Sequence, residues 1–139
     1  MKTLADLTTP AEIERKPLLE AAVQANCVGW MRGRGYWARK FSSISQRSVP
    51  DYLFGRMFTG GERFNHKDVG REIKFATEFK REGAPRKYLE KYNVTVMSTE
   101  AQYEEQEAMR AAGWIVFECD NFEDFQAKVW ALEQDALED

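Results

Sequence analysis

The polar and apolar positions of this chain alternate between two periods. Leu19, Val23, Cys27 and Trp30 recur at helical spacing and predict a first helix over 17–31, closed by Gly33 and Gly35. Residues 36–41 read as a first strand and 42–48 as a polar loop leading to Pro50. A second strand is expected over 51–58. Gly60-Gly61 then turns the chain, and 62–72 is polar, either a hairpin arm or a loop. The third strand falls over 73–81, followed by a basic, irregular connection through Tyr92. Residues 93–97 are apolar and β-branched, a short strand or a buried loop. Thr99 opens a helix that Gly113 stops, and 114–119 is the strongest strand pattern of the chain. A last helix starts at Asp120 or Asn121 and buries Phe122, Phe125, Val129 and Leu132. Antiparallel strands followed by a helix crossing to another strand predict an α/β fold, a mixed sheet flanked by helices.

Ahead of this pattern, residues 1–16 read as an N-terminal extension, with Thr9-Pro10-Ala11-Glu12 a good helix start. Residues 17–139 then form a single domain. A length of 139 residues, 43% hydrophobic and 31% charged, suits one soluble globular unit. No apolar run approaches the roughly 20 residues of a membrane span, and no signal-peptide core opens the chain. Cys27 and Cys119 are expected as buried free thiols of a reducing cytoplasm, with a disulfide as the alternative. One histidine and two separated cysteines do not suit a zinc site. Trp30, Trp37 and Trp114 are expected in the core. His66 is expected in solvent, and Tyr36 or Tyr88 as candidates to stack on an unpaired base.

A net charge of −3 does not by itself suit nucleic-acid binding, but the charge is unevenly placed. Residues 21–50 contain no acid, while Arg32, Arg34, Arg39, Lys40 and Arg47 are basic. Lys80, Arg81, Arg86, Lys87 and Lys91 form a second basic cluster, and the acids concentrate after Ser98. Affinity for phosphate follows local field rather than total charge.

The chemistry lies between the two basic segments. Asp51 follows Pro50 at the start of one expected strand, and Glu78-Phe79-Lys80 closes the next. Residues two apart on a strand share a face, so Glu78 and Lys80 project together while Phe79 points into apolar packing. If the strands pair, Asp51 joins them. Two carboxylates beside a lysine suit a hard divalent cation and a positioned water, the equipment of phosphodiester hydrolysis.

Glu20 and Gln24 lie one turn apart on the first helix. Pro50-Asp51, Glu78-Phe79-Lys80, and a helix opened by Thr99-Glu100-Ala101-Gln102 follow in order. This order resembles the virus-type replication-repair nuclease (VRR-NUC) domain of the PD-(D/E)xK superfamily, over residues 18–129. The resemblance implies a restriction-endonuclease-like fold and a Mg²⁺- or Mn²⁺-dependent DNA endonuclease. Asp51 and Glu78 are the implied metal ligands, with the Phe79 carbonyl and with Glu20 directly or through water. Lys80 is the implied catalytic lysine. Gln102 has two readings: a partner of the catalytic residues, or the closing residue of a capping box with Thr99. Arg32, Arg34, Arg39, Lys40, Gln46, Arg47 and Arg81 are candidate DNA contacts. The family often carries Gly where this chain has Arg47-Ser48, so that loop departs from the pattern. Stand-alone relatives imply a homodimer acting on branched DNA in the manner of a Holliday-junction resolvase, in the cytoplasm of a bacterium or a phage-infected cell. The alternatives are a flap- or structure-specific nuclease acting as a monomer, and a DNA-binding module without catalysis.

Overall fold

The computed structural model describes residues 16–41, 49–58 and 71–137. Helix α1 spans Glu20–Gly33, strand β1 Trp37–Lys40, β2 Tyr52–Phe58 and β3 Arg71–Phe79. Strands β4 (Lys87–Leu89) and β5 (Val94–Val96) flank a 3₁₀ turn, Glu90–Tyr92. Helix α2 (Glu100–Ala111), strand β6 (Ile115–Cys119) and helix α3 (Phe122–Leu137) complete the chain. The expected helix start at 9–12, the loop residues Gln46 and Arg47, and the arm with His66 lie outside the described residues.

The main sheet has the order β1-β2-β3-β6, antiparallel through β3 and parallel between β3 and β6. Strands β4 and β5 pair as a separate antiparallel ribbon. The molecule is therefore mixed α/β, with three helices and a mixed sheet among the described residues.

Strand alternation divides the sheet into two faces. On the inner face, Phe54, Phe58, Ile73, Phe75 and Phe79 are buried against Val23, Cys27 and Met31 of α1 and Phe125 and Val129 of α3. Phe125 packs 5.7 Å from Phe54 and 5.6 Å from Phe79, ring centre to ring centre. On the outer face, Ala76 and Val116 are also buried. Helix α2 covers this half, with Arg110 donating to the Val116 carbonyl at 2.7 Å.

The first helix begins at Glu20 rather than 17, because Leu19 is extended at its N-cap. Leu19 consequently stands 73% exposed, outside the buried stripe that the spacing predicts. The stripe is Val23, Cys27 and Met31, with Gln24 and Val28 beside it. Trp30 packs partly buried against the core. Trp37 and Trp114 correct the sequence expectation: they are 53% and 38% exposed. Trp37 lies on the outer face of an edge strand, beyond the reach of α2, and Trp114 precedes β6 where α2 ends. Gly113 closes α2 at φ +99, a left-handed conformation that glycine adopts without a Cβ clash. Cys27 and Cys119 are buried free thiols, and burial pushes them up to about 12 and about 11. Among the described residues, no helix is long and apolar enough to cross a membrane.

Candidate active site

Asp51 and Glu78 come together where β2 begins and β3 ends. Tyr52 pairs with Thr77, so the preceding Asp51 lies level with Glu78 on the outer face. Asp51 Oδ2 accepts a hydrogen bond from the Phe79 backbone N–H at 2.9 Å. That bond fixes the aspartate while the Phe79 ring is fully buried on the inner face. Phe41 N–H donates to the Asp51 carbonyl at 2.7 Å, which ties the end of β1 to the same point.

Glu78 is 3% exposed, and its Oε2 has no hydrogen-bond donor among the described residues. A buried carboxylate oxygen left unsatisfied is costly unless something outside the protein completes it. Burial holds the Glu78 carboxyl well above its ordinary 4.5. Asp51 adds to the shift through a shared hydrogen bond and its negative charge, while Lys80 opposes it. Its ammonium lies 3.8 Å from Glu78 Oε1.

Lys80 Nζ donates to Gln102 Oε1 at 2.8 Å. The same oxygen accepts from Thr99 N–H at 2.8 Å, and Thr99 Oγ1 accepts from Gln102 N–H at 3.1 Å. One oxygen of Gln102 therefore makes both contacts. It completes the capping box of α2 and it holds the lysine beside the carboxylate pair.

Glu20 lies within electrostatic reach from the start of α1. Its carboxyl is raised first by burial and then by Asp51, with Lys80 and Lys40 lowering it. Among the described residues, no group of three or more histidine, cysteine, aspartate or glutamate side chains stands close enough to hold an ion. Glu20 is thus not drawn into a three-carboxylate cluster with Asp51 and Glu78. The donors that the fold brings together are the carboxylates of Asp51 and Glu78. Those features fit a divalent cation that keeps several waters: paired hard oxygens, one of them orphaned, whose mutual repulsion a cation would relieve.

The basic candidates divide. Arg39 and Lys40 are exposed on β1 beside the site, and Arg81 is exposed just past Lys80. Arg34 is instead committed to the fold. Its guanidinium pairs with the buried Glu133 at 2.7 Å and lies 4.6 Å over the Trp30 ring. Arg32 is bent back to the Ala38 carbonyl at 3.1 Å. Tyr36 is corrected as a stacking candidate: it is buried, with its hydroxyl on Glu133 at 2.6 Å. Tyr88 is 57% exposed on the β4–β5 ribbon.

Sequence reasoning missed the supports. Glu118 sits opposite Glu78 across β3 and β6. It accepts from Met97 N–H, Ser98 N–H and the Ser98 hydroxyl at 2.6, 2.9 and 2.5 Å. Gln106 of α2 donates to the same hydroxyl at 2.9 Å. This network fixes the entry to α2 and hence the position of Gln102. A lone charge inside the apolar strand at 114–119 was the sequence signal for it. Asp120 similarly holds the segment after β3, through Gly83 N–H at 3.1 Å and Arg86 at 3.0 Å.

Neither protein-family models, curated proteins nor solved structures yield a match to this chain.

Proposed function

We propose that this protein is a metal-dependent endonuclease that hydrolyses phosphodiester bonds in DNA. The observation that carries the reading is the Asp51–Glu78 pair: Glu78 is buried, one of its oxygens has no partner among the described residues, and Lys80 is held beside it. Asp51, Glu78 and the Phe79 carbonyl are the groups that would hold Mg²⁺ or Mn²⁺. The cation would polarise a phosphoryl oxygen and lower the pKa of a bound water. Lys80 is the group that orients the attacking water or meets the charge growing on phosphate. Gln102 is a positioning residue, since it acts through Lys80. Arg39, Lys40 and Arg81 supply a local positive field in a chain of net charge −3.

The motif order supports a VRR-NUC-type nuclease within the PD-(D/E)xK superfamily. For substrate we propose branched DNA cut by a homodimer, because paired nicks across a four-way junction require two equivalent sites. The test is incubation with a synthetic four-way junction, a flap and a linear duplex, with and without Mg²⁺ or Mn²⁺. Symmetric metal-dependent nicking of the junction is expected. Cleavage of the flap alone by a monomer would replace the junction reading and keep the chemistry. Binding without cleavage in either metal would leave a DNA-binding module and defeat the nuclease.

A further inference from the structure

A row of residues crosses the outer face of the sheet away from the carboxylate pair. Trp37 of β1 is opposite Gly55 of β2, and Gly55 is opposite Lys74 of β3. Phe75 pairs with Ile115, so Lys74 has Trp114 as its neighbour ahead of β6. Two adjoining depressions follow this row. Trp37, Gly55, Arg56, Met57, Glu72 and Lys74 line one, and Lys74, Ala112, Gly113 and Trp114 line the other. Trp37, Met57 and Trp114 are 53%, 51% and 38% exposed. Exposed aromatic side chains interleaved with charged ones give a surface on which a flat, charged ligand can rest.

Gly55 points the same way. It lies inside a paired strand, where glycine forfeits side-chain packing and is favoured where another group must approach closely. No positive φ requires it, because the positive-φ glycines among the described residues are Gly35, Gly83 and Gly113. A Cβ at Gly55 would meet Lys74 Cγ at 3.7 Å and the Ile73 carbonyl oxygen at 3.8 Å, ordinary contacts. Neither backbone conformation nor crowding therefore demands a glycine; what it provides is an open floor between the Trp37 indole and Lys74.

We propose that this trough binds unpaired nucleotides of the DNA substrate, their bases on Trp37 and Trp114 and a phosphate on Lys74. The proposal rests on the nuclease reading and assigns a substrate feature to it. Alternation along the strands puts Trp37 and Arg39, Gly55 and Asp51, and Lys74 and Glu78 on one face. The trough lies four residues along the strands from the carboxylates, about 13 Å. A strand with its scissile phosphate at Asp51 and Glu78 reaches it within a few nucleotides. The charge suits that occupant. Arg39 lies on the same face, its guanidinium 6.0 Å from the Trp37 ring centre. Lys74 pairs with Glu72 at 3.4 Å, but both side chains are more than half exposed. Such a pair is weakly held, so the ammonium can exchange to phosphate.

The test is fluorescence anisotropy in EDTA, where cleavage cannot occur, with a blunt duplex and the same duplex carrying a single-stranded overhang. The overhang is expected to bind roughly tenfold more tightly, as stacking on two aromatic platforms implies. In Trp37→Ala and Gly55→Val the overhang-to-blunt ratio should fall toward one. Gly55→Val has room for its Cβ and suits a strand, so its circular dichroism and melting should match the parent. A ratio near one in the parent overturns the proposal, as does a ratio retained in both folded variants. A dimer that Trp37→Ala converts to a monomer in sedimentation would also overturn it, by giving this face to a second copy. Overhang preference without cleavage in Mn²⁺ would defeat the nuclease and leave the trough. Cleavage with no overhang preference would do the reverse.

Discussion

Lys80 and Gln102 are joined by a single 2.8 Å hydrogen bond, and the oxygen that accepts it also caps the helix on which Gln102 stands. The position of the lysine is thereby tied to the start of α2. Gln102→Ala should cost roughly 1 kcal/mol of stability through the capping box. It should also slow cleavage, because Lys80 loses its anchor. Lys80→Ala should slow cleavage more, by about two to four orders of magnitude, with little change in melting temperature. Single-turnover rates alongside thermal melts separate the two effects. A Lys80→Ala protein with the parent rate would return that lysine to the surface charge.

Asp51→Asn should abolish cleavage and weaken Mn²⁺ binding in titration calorimetry. The variant should still fold, since an amide oxygen can accept from Phe79 N–H as the carboxylate does. DNA binding should persist on Arg39, Lys40 and Arg81. Full activity in a folded Asp51→Asn protein would remove the carboxylate pair from the site.

Glu78 makes the metal-free protein sensitive to pH in a defined direction. Its carboxyl lies above its ordinary 4.5 in the fold, through burial first and Asp51 second. Between about pH 4.5 and the raised folded value, the native state holds a proton that the unfolded chain has released. Stability contributed by this group is therefore fully present below about pH 4.5 and is lost as pH rises through the folded value. Metal binding requires the proton to leave, so Mn²⁺ should raise the melting temperature more at pH 8 than at pH 6. Melting curves at both pH values, with and without metal, read this directly. Equal metal stabilisation at both would contradict the protonated state of the pair.

Arg34 and Arg39 should separate by phenotype. Arg34 holds buried Glu133 together with Tyr36, and breaking such a group strands a buried charge. Arg34→Ala, which strands the buried Glu133 carboxylate, should cost about 3 kcal/mol. The same substitution should lower the melting temperature while the salt dependence of DNA binding stays unchanged. Arg39→Ala should leave melting unchanged and reduce the salt slope by about one. The reverse pattern would place Arg34 on DNA.

The sequence by itself determined the order and type of the main elements, but it read β4 and the 3₁₀ turn after it as an irregular connection. Apolar periodicity marked α1, β2, β3, α2, β6 and α3, because helices and strands that bury one face must repeat at their own period. The strand rule alone put Glu78 and Lys80 on one side and Phe79 on the other. The Thr99–Gln102 spacing gave the capping box. Tertiary structure decided what depends on contacts between distant segments. Pairing of β2 with β3 brought Asp51 level with Glu78 and left one oxygen of Glu78 buried without a donor among the described residues. Only the packed helix α2 let one Gln102 oxygen serve both cap and lysine. Composition placed Arg34 with the DNA-facing cations, but Glu133 on α3, far along the chain, claims it. Trp37 looked like core because tryptophan usually is. Its exposure follows from an edge strand whose outer face α2 does not reach, and the register then sets it beside Gly55 and Lys74. Local periodicity tells a residue which face of its own element it occupies; only the packing of elements decides what that face meets.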